Sequence, residues 1–268
     1  MQGRIVVFLI GVLSGSLMAT SSAARQISFD ECLPFFDYSK DKVVTKVVQS
    51  DGSFQNRQVD ITPEPIADSR FGSEVLRACG QFGSKVKPQA VQKLVEIFNP
   101  DLIKELAREF PDYSNRELME IIGKAWTGSG GFEHVFCGQP KKDKVGGLHY
   151  TGRYFELQEK GQLCRITNNL NNEEILPESV YTIGISIPGG IVDRKKGFSI
   201  RQAAEDIFFE AARNYLRNCV SPSKNRRVCF SRFYQDGSFG NLFVCAPNVG
   251  IVTFYPLARV PKDTAECK

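Results

Sequence analysis

Residues 199–218 read "SIRQAAEDIFFEAARNYLRN". Ile200, Ala204, Ile207, Phe208 and Ala211 recur at the three- and four-residue spacing that gathers apolar groups on one face of an α-helix. On either side the texture changes. "FEHVF" (132–136), "LHYTGRYFEL" (148–157), "QLCRIT" (162–167), "VYTIGISI" (180–187), "RVCFSRFY" (227–234), "NLFVCA" (241–246) and "GIVTFYP" (250–256) are short β-branched or aromatic runs of strand type. "EKGQ" (159–162) and "DGSFGN" (236–241) carry turn residues and predict hairpins. One helix set among hairpin strands predicts an α+β fold built on antiparallel sheet.

Upstream, residues 66–126 have helical spacing. "NPDLIKELAREF" (99–110) places Asn99 to cap and Pro100 at the first helical position, where its missing N–H costs nothing. "SNRE" (114–117) has capping-box spacing and precedes Leu118, Ile121, Ile122, Ala125 and Trp126. Before these, "VVTKVV" (43–48) is the best strand candidate. "TGSGG" (127–131) breaks the last helix and suggests a boundary. The expected organisation is a mainly helical region over 24–127, a second domain over 128–262 and a tail of 263–268.

The first residues, "MQGRIVVFLIGVLSGSLMATSSAARQ", have a basic start, an apolar run from Ile5 to Met18 and small residues at Ala23 and Ala24. That is the layout of a cleaved secretory signal over residues 1–23. All eight cysteines follow it, an even number, so a secreted or periplasmic chain with up to four disulfides is expected. Their spacing is not that of a zinc module. No later segment has the length of a spanning helix, so no membrane association is expected after signal cleavage. The net charge of +4 is unremarkable, but "KKDK" (141–144), "DRKK" (193–196) and "SKNRR" (223–227) concentrate cations in the C-terminal half. Such runs are ordinarily solvated loops, and they would also line a groove for a polyanion.

The chain has two histidines, His134 and His149, both within "GGFEHVFCGQPKKDKVGGLHY" (130–150) and both close to glycines. Two imidazoles and a lysine suffice to cleave RNA without a metal. One imidazole takes the proton of a ribose 2′-OH, the other protonates the departing 5′-oxygen, and a cation with aimed N–H groups holds the charge on phosphorus. With a reference pKa of about 6.5, one ring neutral and one charged coexist near neutrality. A two-histidine metal site with Glu133 as third ligand is the rival, awkward because neighbours on a strand point to opposite faces.

These residues resemble the EndoU-like endoribonucleases. "GFEHVFCG" (131–138) is similar to the first histidine motif of the cellular members, and "GGLH" (146–149) to the second histidine motif of the nidoviral uridylate-specific endoribonuclease. "KKGFSIRQAAEDIF" (195–208) resembles the segment carrying that enzyme's lysine and serine, and "VTFYP" (252–256) its C-terminal motif. The four occur in family order over about half the chain. The resemblance implies two small antiparallel sheets flanking a groove, with His149 as general base, His134 as general acid, and Lys195 as stabiliser of the phosphorane, Lys196 taking its place if the register differs by one. Gly147 would offer its N–H to a phosphate oxygen, and Ser199, Thr253 and Tyr255 would meet the nucleotide 5′ to the cut.

Each residue also has an ordinary reading. Ser199 would cap the helix, Tyr255 would pack, Thr253 would fill a strand, Gly147 would serve a turn, and the lysine pair would be solvated surface. Animal members carry an acidic residue, linked to manganese dependence, where Gln139 stands here. The expectation is therefore no cofactor, with manganese left open. The expected function is a secreted endoribonuclease that cuts single-stranded RNA 3′ of uridylates and leaves a 2′,3′-cyclic phosphate. The alternative is a secreted RNA- or polyanion-binding protein that keeps the scaffold without turnover.

Overall fold

The computed structural model describes residues 32–49, 51–187, 190–220, 227–232, 240–259 and 263–268, without the side chains of Asn171, Arg194, Lys195 and Arg232. The signal reading of 1–23, most of the 223–227 basic run and most of "DGSFGN" lie outside these residues.

The fold is α+β. Three strands open it, β1 (Cys32–Leu33), β2 (Lys42–Val48) and β3 (Phe54–Asp60). Four helices come next, α1 (Arg70–Cys79), α2 (Pro88–Ile97), α3 (Pro100–Glu109) and α4 (Asn115–Gly128). The caps expected from the sequence are in place. Asn99 accepts from Asp101 N–H at 3.0 Å, and Ser114 and Glu117 form the reciprocal capping box of α4.

"FEHVF" is a π-helical turn, Glu133–Cys137, and not a strand. The short β4 (Gln139–Pro140) and β5 (Val145–Gly146) then pair, and α5 (Thr151–Glu159) occupies most of "LHYTGRYFEL", also expected as strand. "FEHVF" sends Phe132, Val135 and Phe136 into one core, "LHYTGRYFEL" divides Tyr150 from Leu148, Tyr154 and Leu157 between two, and apolar runs this short carry no usable period. "EKGQ" accordingly links α5 to a strand and is no hairpin.

After α5 come β6 (Cys164–Ile166), β7 (Glu174–Leu176), β8 (Val180–Ile187) and β9 (Ile191–Ser199). Helix α6 (Ala204–Cys219) and the strands β10 (Arg227–Arg232), β11 (Gly240–Ala246) and β12 (Gly250–Leu257) complete the chain.

The main sheet is larger than expected, with seven strands in the order β1-β6-β8-β7-β2-β3 and β9 added on β8. All its pairings are antiparallel except the contact of β2 with β7 at Val47 and Ile175. The second sheet is the antiparallel meander β10-β11-β12.

Two cores result. One packs α1–α4, the π-turn and α6 on β10–β12, with Trp126, Phe132, Phe136 and Phe208 in mutual ring contact. Burying rings of this size stabilises by about 2–3 kcal/mol each. The other packs α5 on the main sheet through Tyr154, Leu157, Ile183, Ile185 and Phe198. The first core joins residues on both sides of position 127, so the helices α1–α4 share one core with α6 and β10–β12 and are not a separately packed region.

The eight cysteines form four disulfides: Cys32–Cys164, Cys79–Cys137, Cys219–Cys245 and Cys229–Cys267. The first closes a separation of 132 residues. A loop that long is worth about 4–5 kcal/mol in the chain-entropy account. Among the described residues no helix is long and apolar enough to cross a membrane.

Candidate functional site

The two histidines meet where the cores meet. Val135 and Phe136 of the π-turn belong to one core and Leu148 to the other. Gly131 lets the chain entering the π-turn lie against β12, since a Cβ there would run into the carbonyl of Ile251. The π-turn has a direct consequence for bonding. Gly138 N–H reaches back to Glu133 O at 2.9 Å, an i to i−5 bond, so the carbonyl of His134 does not receive it. That carbonyl accepts from Leu148 N–H at 2.7 Å instead, and Val135 O accepts from His149 N–H at 2.8 Å. The loop bearing His149 is thereby bonded edge-on to the turn bearing His134. Their ring centroids lie 5.7 Å apart.

Gly147 is bound to this arrangement by its backbone. Its φ is +66°, and a Cβ there would collide with the His134 carbonyl oxygen. The turn reading of Gly147 is thus fully supported, and the turn lies against the His134 backbone.

His149 is buried, 8 % exposed. Its Nδ1 lies 3.1 Å from the Gly197 carbonyl, an acceptor, which assigns the proton to Nδ1 and leaves the Nε2 lone pair open. Tyr255 stacks on the same ring at 4.9 Å between centroids and 24° between planes. Burial, the neighbouring His134 and the Lys196 ammonium push the His149 pKa down to about 3, against the pull of the Gly197 hydrogen bond. His134 is half-buried, and burial with the charges of Lys196 and Lys141 lowers its pKa too, opposed by a hydrogen bond with Gln139. Both imidazoles therefore favour the neutral form.

Lys196 is the cation whose charge reaches both rings. Its position depends on a β-bulge. Strand β9 pairs Asp193 with Ile185 and Lys196 with Ile183, so Arg194 and Lys195 together face Gly184. The extra residue resets the alternation and puts Asp193 and Lys196 on one side, where they form an ion pair at 3.2 Å. In a regular strand, residues three apart point to opposite faces. The side chain of Lys195 is outside the description.

Ser199 closes β9, is 2 % exposed, and accepts from Arg201 N–H at 3.1 Å. It does not cap α6. That helix starts at Ala204, with the Asp206 carboxylate accepting from Ala203 N–H at 2.9 Å. Thr253 lies two residues before Tyr255, and its buried hydroxyl has no partner among the described residues. The site thus brings together His134, His149, Lys196, Tyr255 and the Gly147 backbone.

Two further residues support it. Asp193 also accepts from Val145 N–H at 3.2 Å, joining the lysine to the strand before Gly147. Arg153, 1 % exposed, donates to Cys137 O at the end of the π-turn and to Gly80 O at the end of α1. The "DRKK" charge run hints at Asp193, while Arg153 sits in a run of strand type and gives no signal.

The same residues bear on manganese. Glu133 is not on a strand, and its carboxylate accepts from Val86 N–H at 2.6 Å and from Gln139 Nε2 at 3.0 Å. Its oxygens are engaged and Gln139 brings no charge, so this donor set does not suit a hard dication.

One family match covers the part of the chain that carries the motifs, and two individual proteins are similar to it. The solved structure titled "The structure of XendoU: a splicing independent snoRNA processing endoribonuclease" is similar with a TM-score of 0.49 and 16 % identity, over 70 % of this chain and 76 % of that one. The mouse (Mus musculus) uridylate-specific endoribonuclease is 27 % identical over 146 residues, 51 % of this chain. The chain covers 33 % of that relative's length. Residues 128–258 match the family described as bacterial EndoU nuclease. Both histidine motifs lie inside that stretch, so residues 128–258 are similar to the EndoU nucleases.

Proposed function

We propose that the protein is a secreted endoribonuclease that cuts single-stranded RNA 3′ of uridylates by transphosphorylation. The observation that carries this is the His134–His149 pair, 5.7 Å apart, with Nε2 of His149 free by virtue of the Gly197 carbonyl. Nε2 of His149 takes the proton from the 2′-OH, and the 2′-oxygen attacks phosphorus. As that bond forms, the bond to the 5′-oxygen breaks and His134 supplies the proton it needs. The products are a 2′,3′-cyclic phosphate and a free 5′-hydroxyl. Lys196 holds charge on the phosphoryl oxygens, and Tyr255 offers a ring edge beside the nucleotide 5′ to the cut. Uridine preference is supported by the name of the mouse relative. Secretion rests on the signal layout of residues 1–23, and four disulfides suit an oxidising compartment.

The decisive experiment is incubation of a uridine-containing oligonucleotide with the protein in EDTA, then mass analysis of the fragments. Cyclic-phosphate ends after uridine are expected, and 2′-deoxyuridine at the cut site should leave the strand intact. Cleavage of the deoxy substrate or a 3′-hydroxyl end would mean a different nucleophile. A strand that binds and stays whole would favour the binding-protein alternative.

The pH dependence is set by the two imidazoles. Sequence alone suggests an optimum near neutrality, and the structure moves it to the acid side. His149, at about 3, is neutral over the working range. His134 must be protonated, and its pKa in the free protein lies below the usual 6.5. kcat/KM should therefore fall about tenfold per pH unit above that value, beginning below pH 6.5. Bound phosphate favours the charged ring, so the basic limb of kcat should lie at higher pH than that of kcat/KM. Coincident limbs, both above 6.5, would show that the His134 imidazole is not held below its usual range in the free protein.

A further inference from the structure

We propose that the basic turn 141–144 between β4 and β5 binds the phosphates of RNA on the 3′ side of the cut. The turn is "KKDK", closed by Lys141 N–H to Lys144 O at 2.7 Å, and all four residues are exposed. It is the tip of the hairpin that pairs Gln139 with Gly146, and Gly146 leads directly through Gly147 and Leu148 to His149. Lys141 folds back over this base, its Cε 3.3 Å from where a Gly146 Cβ would stand. No ion pair engages Lys141, Lys142 or Lys144 among the described residues, and Asp143 is the one acid in the turn. Three exposed cations held on a short hairpin at the edge of the site form a local positive surface that suits a polyanion.

The side of the cut is given by the two histidines. Lys141 Cε and Gln139 Oε1 lie 3.3 and 3.2 Å from where a Gly146 Cβ would stand, and the Gln139 amide donates at 3.0 Å to Glu133. Glu133 is the neighbour of His134, whose ring the Lys141 charge also reaches. The turn thus stands on the His134 side. This step rests on the proposed function: if His134 protonates the departing 5′-oxygen, the strand running past it is the leaving, 3′ portion. Its phosphates then lie toward the lysines.

The test compares uridylyl-adenosine with the same dinucleotide extended by two nucleotides at its 3′ end. For the intact chain, kcat/KM on the extended substrate should exceed that on the dinucleotide by about tenfold in low salt. If two phosphates are engaged, that advantage should shrink about sevenfold between roughly 50 and 200 mM salt, from single-strand counterion release. The triple variant K141A/K142A/K144A should bring the ratio to about one or two. Neutral methylphosphonate linkages in the extension should do the same with unaltered protein, a result no folding defect can imitate. A ratio that survives both changes, or an advantage found instead for 5′ extensions, overturns the inference while cleavage of the dinucleotide keeps the proposed function standing. Failure of the protein to cut any uridine substrate would defeat that function itself.

Discussion

His149→Ala and His134→Ala are each expected to lower kcat/KM on a uridine substrate by at least about 100-fold, the usual range for a positioned proton donor or acceptor. For His149 the loss includes the ring that Gly197 orients and Tyr255 covers. For His134 the loss should weaken as the leaving group improves, because a good leaving group needs less protonation. A substrate with a nitrophenyl ester at the 5′-oxygen position would therefore rescue His134→Ala and not His149→Ala. Lys196→Ala should cost at least about tenfold, because the Lys196 charge reaches both rings. Melting temperatures within a few degrees of the unaltered protein would show that the fold is retained. Turnover by either histidine variant within about threefold of wild type would falsify its role.

Gly147→Ala should be the most damaging single methyl group in the site. The position has φ +66°, and a side chain there costs about 1–2 kcal/mol by backbone strain alone. The added Cβ also meets the His134 carbonyl oxygen. Relief requires parting the loop from the π-turn, which breaks the Leu148 N–H to His134 O and His149 N–H to Val135 O bonds. Each is worth about 1 kcal/mol, so a total near 3–4 kcal/mol is expected. For a chain of this size that lowers Tm by roughly 6–16 °C. The same parting moves the imidazoles relative to each other, and a displacement near 1 Å can cost about 100-fold in rate. A folded variant with wild-type kcat/KM and an unchanged melting point would show that the loop does not depend on this contact.

How far the fold can be read depends on the kind of signal each segment carries. Strand β8 is "VYTIGISI" to the residue, and α3 and α4 begin at their caps. In these segments local chemistry decides: β-branched side chains on a pleat, or a side-chain oxygen on an orphan N–H. "FEHVF" and "LHYTGRYFEL" mislead for the opposite reason. The first has only three apolar residues, all in one core, and the second sends Tyr150 to one core and Leu148, Tyr154 and Leu157 to the other, so neither shows a single-faced helical period. The difference reaches the site, because a strand would point Glu133 away from His134 and make joint coordination of one ion awkward. In the π-turn its carboxylate instead accepts hydrogen bonds from Val86 N–H and Gln139 Nε2.

The sequence by itself determined which groups are available for chemistry: two histidines in glycine-flanked motifs, a lysine pair, Tyr255 in "VTFYP", a basic turn and an even number of cysteines. It also determined the α+β character, because strand and helix periods are local properties of the chain. Tertiary structure decided everything that depends on residues far apart in sequence. The Gly197 carbonyl, 48 residues from His149, selects its tautomer. Burial between two cores lowers both imidazole pKa values. A bulge in β9 sets Lys196 beside Asp193, and the disulfide pairing is fixed by which cysteines the sheets and helices bring together. Each of these is a distance or a dielectric environment, and neither exists until non-local contacts close, whereas residue type and period are written into every few residues of the chain.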